Sequence, residues 1–190
     1  MKVQAVVVGA VLAAVVVAIA GIARERFRGR PYAFEHVDIP GIENAGRINA
    51  RLYRGAQPST AGFVELQRLG VRTVVSLTIG HDDQRGEKDV VERLGMRYVH
   101  LPWSAMHQPP PAHVTAFLDL LRSHPDDIVF VHCKAGVDRT GVMVASYRLL
   151  TAHWRPADAV AEMNAFGFHS LFHPQLEQYV DALAGTNGLR

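Results

Sequence analysis

The stretch that decides the fold is Asp127-Ile128-Val129-Phe130-Val131, followed at once by His132-Cys133-Lys134-Ala135-Gly136-Val137-Asp138-Arg139-Thr140-Gly141. The first five residues form a short β-branched and aromatic run, which predicts a buried strand. From Thr140 to Ala152 apolar residues recur at helical spacing (Val142, Ala145, Leu149), with the Thr140 hydroxyl at the N-terminal end. Between strand and helix lies a loop with the only cysteine of the chain, six residues before Arg139. A strand end, loop and helix start aim successive backbone N–H groups into one concavity, and the helix dipole adds partial positive charge there. Such a nest binds a dianion and favours the thiolate form of a cysteine at its rim.

The chemistry follows from those parts. Cys133 is placed to attack phosphorus and form a phosphocysteine, which divides one hard displacement into two easier ones. Arg139 offers a planar fork of donors matched to two phosphoryl oxygens. Gly136 lets the backbone turn close to the phosphate, and Gly141 lets the helix start pack tightly. Thr140 is the candidate donor to the thiolate as it leaves in the second step. His132 is expected to orient the loop through hydrogen bonds rather than to exchange protons. Lys134, Ala135 and Val137 complete the substrate-binding run. A buried, inert thiol is the plain alternative for Cys133, but the arginine spacing and the glycines have no core role.

These residues match the His-Cys-x-x-Gly-x-x-Arg-Thr-Gly signature, and the chain resembles the cysteine-dependent protein tyrosine phosphatases, in particular their bacterial dual-specificity-like branch. Leu52-Tyr53-Arg54-Gly55-Ala56-Gln57-Pro58-Ser59 and Phe63 to Leu77 look like the opening strand, helix and strand of that branch. Ala145-Ser146-Tyr147-Arg148, Ala157 to Met163 and Gly167-Phe168 extend the likeness, which covers roughly residues 50 to 184. A rhodanese-like persulfide loop is the rival reading, and it lacks the Arg-Thr-Gly continuation. The resemblance implies a general-acid aspartate on a mobile loop about thirty residues before the cysteine. Here that loop is Leu101 to Pro111 and carries no carboxylate. Asp138 is the first substitute, since some lipid-directed members of the superfamily have an aspartate at this loop position. Asp82 or Asp83 is the second, and His107 or water the third. Asp138 also has a plainer role open to it, as an acceptor that stiffens the loop by pairing with a neighbour.

The start of the chain carries a separate message. Ala5 to Ala23 has no charged or strongly polar side chain and is dense in Val and Ala. Such a run spans roughly 29 Å as a helix, close to the hydrocarbon thickness of a bilayer. Residues 1–23 are therefore expected to form a transmembrane anchor or a signal segment. Arg24, Arg26, Arg28 and Arg30 outweigh Lys2, which places the carboxy-terminal side in the cytoplasm for a retained single-pass anchor. Cleavage after Ala23, with export to the periplasm, is the alternative.

Behind that segment, residues 24–49 read as a linker punctuated by Pro31 and Pro40-Gly41, and residues 50–190 as one phosphatase domain. Strands are expected at Leu52–Arg54, Arg72–Leu77, Met96–Leu101 and Asp127–His132. Helices are expected at Thr60–Leu69, Glu87–Leu94, Pro111–Arg122, Thr140–Ala152, Pro156–Phe166 and Pro174–Ala184. This alternation argues an α/β fold: a central, mostly parallel sheet of about four to five strands flanked by helices, as in dual-specificity phosphatases.

The expected function is hydrolysis of phosphate monoesters, first of all phosphotyrosine on proteins, with phosphoserine and phosphothreonine also open. Lys134 and Asp138 keep a phosphoinositide, another polyphosphate or a phospholipid open as substrate. A phosphate-binding pseudophosphatase is the non-enzymatic alternative, against which the intact Cys133/Arg139 pair argues. No cofactor and no metal is implied: His169 and His173 have ligand-like spacing, but no cysteine or carboxylate joins them in sequence. A formal net charge of +2, much of its excess in the Arg24–Arg30 cluster, gives no sign of nucleic-acid binding. Trp103 fits either a core position or a stacking contact with substrate.

Overall fold

The computed structural model describes residues 34–80 and 82–187. Its centre is a sheet of six strands: β1 (Glu35–His36), β2 (Gly46–Arg47), β3 (Leu52–Ala56), β4 (Val71–Ser76), β5 (Arg97–His100) and β6 (Ile128–Cys133), in the order β1-β2-β3-β6-β4-β5. The four long strands β3, β6, β4 and β5 run parallel, as the alternation of elements requires. Six helices connect and follow them: α1 (Thr60–Arg68), α2 (Asp82–Arg93), α3 (Pro111–Ser123), α4 (Asp138–Leu150), α5 (Pro156–Ala165) and α6 (Pro174–Asn187).

The sheet has one or two strands more than the sequence led us to expect, and the additions come from the supposed linker. Within residues 34–49, β1 pairs antiparallel with β2, and β2 pairs antiparallel with β3. Ile39, Ile42, Ala45 and Ile48 bury their side chains, so this segment belongs to the core. Two-residue strands are too short to show the alternation that marks a strand in sequence. Pro40-Gly41 makes a tight turn inside the segment, with Gly41 at φ +80°. Helix α2 likewise begins earlier than expected, at Asp82, so Asp82 and Asp83 open a helix instead of sitting in a loop. Acidic residues suit a first helical turn; the side chains of these two lie outside what is described.

The period of two along the strands divides the core. Val129, Val131 and Cys133 of β6 pack with Val75, Val114, Phe117, Met143 and Val144, on the side covered by α3 and α4. Phe130 faces the other way, with Phe63, Leu66, Val74 and Val91, under α1 and α2. Outside α4, a third cluster joins Val142, Ala145 and Leu149 to Met163 of α5 and Leu176 and Val180 of α6. Helix α4 is therefore covered on nearly every side, which fixes the element that carries Arg139. Trp103 is buried with Leu101 and Val114 and is a core residue, not a stacking platform.

Among the described residues no helix is long and apolar enough to cross a membrane. The candidate span, residues 1–23, and the arginine-rich residues 24–33 lie outside the described residues.

Candidate active site

Parallel pairing brings the carboxyl ends of β3, β6 and β4 to one edge, with Ala56 beside Cys133 and Ser76 beside His132. Sites form at this edge in open α/β sheets. Cys133 ends β6 and is buried, and Asp138 opens α4. Arg139 follows in the first helical turn. Its Nη1 donates to the Leu77 carbonyl at 2.9 Å and, more weakly, to that of Trp103 at 3.4 Å. The arginine thus ties the signature loop to the loops after β4 and β5. Thr140 is buried, and its hydroxyl has no hydrogen-bond partner among the described residues. Lys134 and Ala135 are exposed and Val137 is half-buried. The Lys134 ammonium reaches Gln57 Oε1 at 3.4 Å.

The loop lies directly on β3. Gly136 has φ +70°, and a Cβ there would stand 2.4 Å from the carbonyl carbon of Gly55 and 2.5 Å from the Ala56 nitrogen. Only glycine fits that approach. At Gly141 a Cβ would meet Met163 at 3.3 Å, so the helix start is packed close to α5. Asn44, from the short antiparallel segment, donates through Nδ2 to the carbonyls of Gly136 at 3.2 Å and Phe166 at 3.0 Å, and lies 3.4 Å from that of Ala135.

Two buried polar groups support the loop from opposite faces of the sheet. His132 points away from Cys133, toward α2, where its Nε2 lies 3.0 Å from Glu87 Oε1. Gln57 Nε2 donates to the other Glu87 oxygen at 2.7 Å. Burial alone would push the Glu87 carboxyl up. Hydrogen bonds from His132, Gln57 and Ser76, with the His132 charge, hold it below its ordinary value. The ionised carboxylate therefore fixes the His132 ring, whose Nδ1 is 3.4 Å from the Cys133 carbonyl.

The second support is Arg54, completely buried in β3. Its Nη2 donates to the Gly136 carbonyl at 2.6 Å, and its guanidinium lies 3.9 Å above the Phe166 ring. Burial pulls its pKa down to about 10, against the opposing pull of Glu162 and Cys133, while Arg148 adds to the lowering. Glu162 is held by Arg148 Nε at 2.8 Å, yet burial pushes its carboxyl up despite both arginines. A buried cation thus sits beneath the cysteine and locks a loop carbonyl at once.

Asp138 is about a third exposed at the site rim, with its Oδ2 3.8 Å from Nε2 of His173 at the start of α6. The loop after β5, where the acid was sought, carries Met106 and His107, both exposed. Sequence reasoning missed Asn44, Glu87, Gln57 and Arg54 as parts of the site; it singled out His173 for its spacing from His169, with a loop near the active site as the plainer reading, but not as a neighbour of Asp138. Arg54 and Gln57 fall inside a segment singled out for its resemblance. Nothing local marks Asn44 or Glu87, because their roles depend on tertiary contacts.

A family profile described as "DSP-PTPase phosphatase fused to NAD+ Kinase" matches residues 35–177. The chain belongs to this DSP-PTPase family. Among curated proteins it is similar to dual specificity protein phosphatase TpbA of Pseudomonas aeruginosa strain UCBPP-PA14, 33% identical over 146 residues. That match takes in 77% of this chain and 64% of the relative, so it spans less than two thirds of TpbA's length. The crystal structure of P. aeruginosa TpbA superposes with a TM-score of 0.66 at 30% identity, covering 83% of this chain and 98% of that one. A cysteine-to-serine variant of TpbA in complex with phosphotyrosine gives a TM-score of 0.66 at 29% identity, over 86% of this chain and 99% of the other. The matched region takes in the segment from Glu35 onward that carries Asn44.

Proposed function

We propose that this chain hydrolyses phosphate monoesters through a phosphocysteine formed on Cys133, with phosphotyrosine on proteins as the principal substrate and phosphoserine or phosphothreonine as lesser ones. The observation that carries the reading is the placement of Cys133 at the end of β6, with Arg139 in the first turn of α4 across a glycine-locked loop. The phosphotyrosine preference is supported by likeness to TpbA, whose variant binds that group. In the first step Cys133 Sγ forms a bond to phosphorus as the bond to the ester oxygen breaks. Arg139 uses the Nε and Nη2 edge, free of its carbonyl contacts, to hold two phosphoryl oxygens. Asp138, at the rim, gives its proton to the leaving oxygen. In the second step water attacks phosphorus, Asp138 takes up a proton from it, and the S–P bond breaks. Thr140, whose buried hydroxyl is uncommitted, then donates to the departing thiolate. We further propose that residues 1–23 remain as a membrane anchor with the catalytic domain on the cytoplasmic side.

The test is hydrolysis of nitrophenyl phosphate and of a phosphotyrosine peptide by the full chain, beside Cys133→Ser, with acid quench to trap labelled phosphate on the protein. Activity and a trapped phosphoprotein that both vanish in the variant support the mechanism. Turnover that survives Cys133→Ser refutes it.

A further inference from the structure

The loop after β5 lacks the carboxylate that the resemblance implies, but the structure brings another titratable group to the same place. His173 immediately precedes α6, whose Leu176 N–H donates to the His173 carbonyl at 3.0 Å. Gln175, two residues on, donates to the Ala105 carbonyl at 2.8 Å and so binds the start of α6 to the loop after β5. Leu176 and Val180 pack against Val142 and Ala145 of α4, so the two helices hold His173 and Asp138 in a fixed relation. His173 Nε2 faces Asp138 Oδ2 at 3.8 Å, with both side chains mostly covered. The other ring nitrogen, Nδ1, is buried without a hydrogen-bond partner among the described residues. A proton there would be a buried N–H with no acceptor, so the neutral ring carries its proton on Nε2, aimed at Asp138.

We infer that His173 is a positioning residue for proton delivery, donating Nε2–H to Asp138 Oδ2 as that carboxyl gives up its proton. The inference rests on Asp138 being the acid of the reaction proposed above. While Asp138 is protonated, the contact orients the carboxyl so that Oδ1 bears the proton toward the ester oxygen. As the P–O bond breaks, that proton moves to the leaving oxygen and negative charge develops on Asp138, next to the Nε2–H dipole. When water enters, its proton returns to Asp138 and the contact relaxes. A separation of 3.8 Å is beyond a hydrogen bond, and catalytic contacts of this type tighten when substrate is bound. The arrangement also gives Asp138 a partner that selects one of its two oxygens, which the exposed His107 does not provide.

The experiment compares kcat on phenyl phosphate, a poor leaving group, with kcat on nitrophenyl phosphate, a good one, using the full chain. Four variants are needed: Asp138→Asn, His173→Asn (too short to reach), His173→Gln (long enough to present an N–H) and the double Asp138→Asn/His173→Asn. His173→Phe, which keeps the ring volume, stands in if the Asn variant does not fold, as judged by its thermal melt. The inference expects His173→Asn to slow phenyl phosphate about tenfold while nitrophenyl phosphate changes less than about twofold. It also expects His173→Gln to recover most of the loss, and the double variant to be no slower than Asp138→Asn alone. Equal loss on both esters, or no recovery with Gln, overturns it while a leaving-group-dependent Asp138→Asn leaves the acid assignment standing. If Asp138→Asn itself slows both esters equally, the acid assignment falls and takes this inference with it.

Discussion

Replacing Gly136 with alanine tests the packing of the signature loop on the sheet. Two costs add at this position. At φ +70° an alanine pays about 1–2 kcal/mol for the left-handed conformation. Its Cβ would also stand 2.4–2.6 Å from three backbone atoms of Gly55 and Ala56, so the loop or β3 must shift, at a further cost of about 1–3 kcal/mol. The sum is about 2–5 kcal/mol, a drop in Tm on the order of 10 °C for a domain of this size. Gly95→Ala is the matched control. Gly95 has φ +75°, but a Cβ there would have nothing within 4 Å, so it pays only the conformational cost, on the order of 4 °C. The two variants should differ in turnover as well. The shift at Gly136 moves the carbonyl held by Arg54 and Asn44, so kcat on nitrophenyl phosphate should fall at least about tenfold, a barrier change of only ~1.4 kcal/mol. Gly95→Ala should keep wild-type turnover. Thermal melts and initial rates on the three proteins decide it. A Gly136→Ala chain that melts with Gly95→Ala and turns over like wild type would refute the close contact of loop and strand.

Two further predictions concern charge and location. Glu87 has a folded pKa below its ordinary value of 4.5, so the stability it contributes is present above that value and lost as pH falls through the lower folded one. Glu87→Gln should therefore lower Tm near neutral pH and flatten its decline under acid; an acid decline as steep as in wild type would remove Glu87 from the account. For the amino terminus, membrane-bound protein should retain Met1 to Ala23 by intact-mass measurement, and a mature chain that begins at Arg24 would instead support cleavage and export.

Much of the fold was legible because apolar period and turn residues agree. The four parallel strands and six helices are the ones that β-branched runs and helical spacing pick out, and they place Cys133 at a strand end and Arg139 at the helix start that follows it without tertiary information. The antiparallel segment was not legible. Glu35–His36 and Gly46–Arg47 are too short to carry a pattern, and their place in the sheet is set by β3, which is already held by β6. Within the site the same limit applies residue by residue. Alternation along β6 sends Val129, Val131 and Cys133 to one face, so His132 must point to the other, and a role in proton exchange at phosphorus is disfavoured from that alone. What waits for His132 on that face is Glu87, 45 residues away on a separate helix, so no local signal pairs them. Arg54 is the sharper case. An arginine in a strand next to the sheet centre reads locally as an outward-facing residue, since burying its charge unpaired is costly. It is inside because the Gly136 carbonyl and the Phe166 ring meet it there and the Glu162 charge acts on it, all more than 80 residues further along the chain. A fully buried charge thus sits where the signature loop is shaped, and a site built this way shows its cysteine and arginine in sequence while hiding the groups that hold their loop in place.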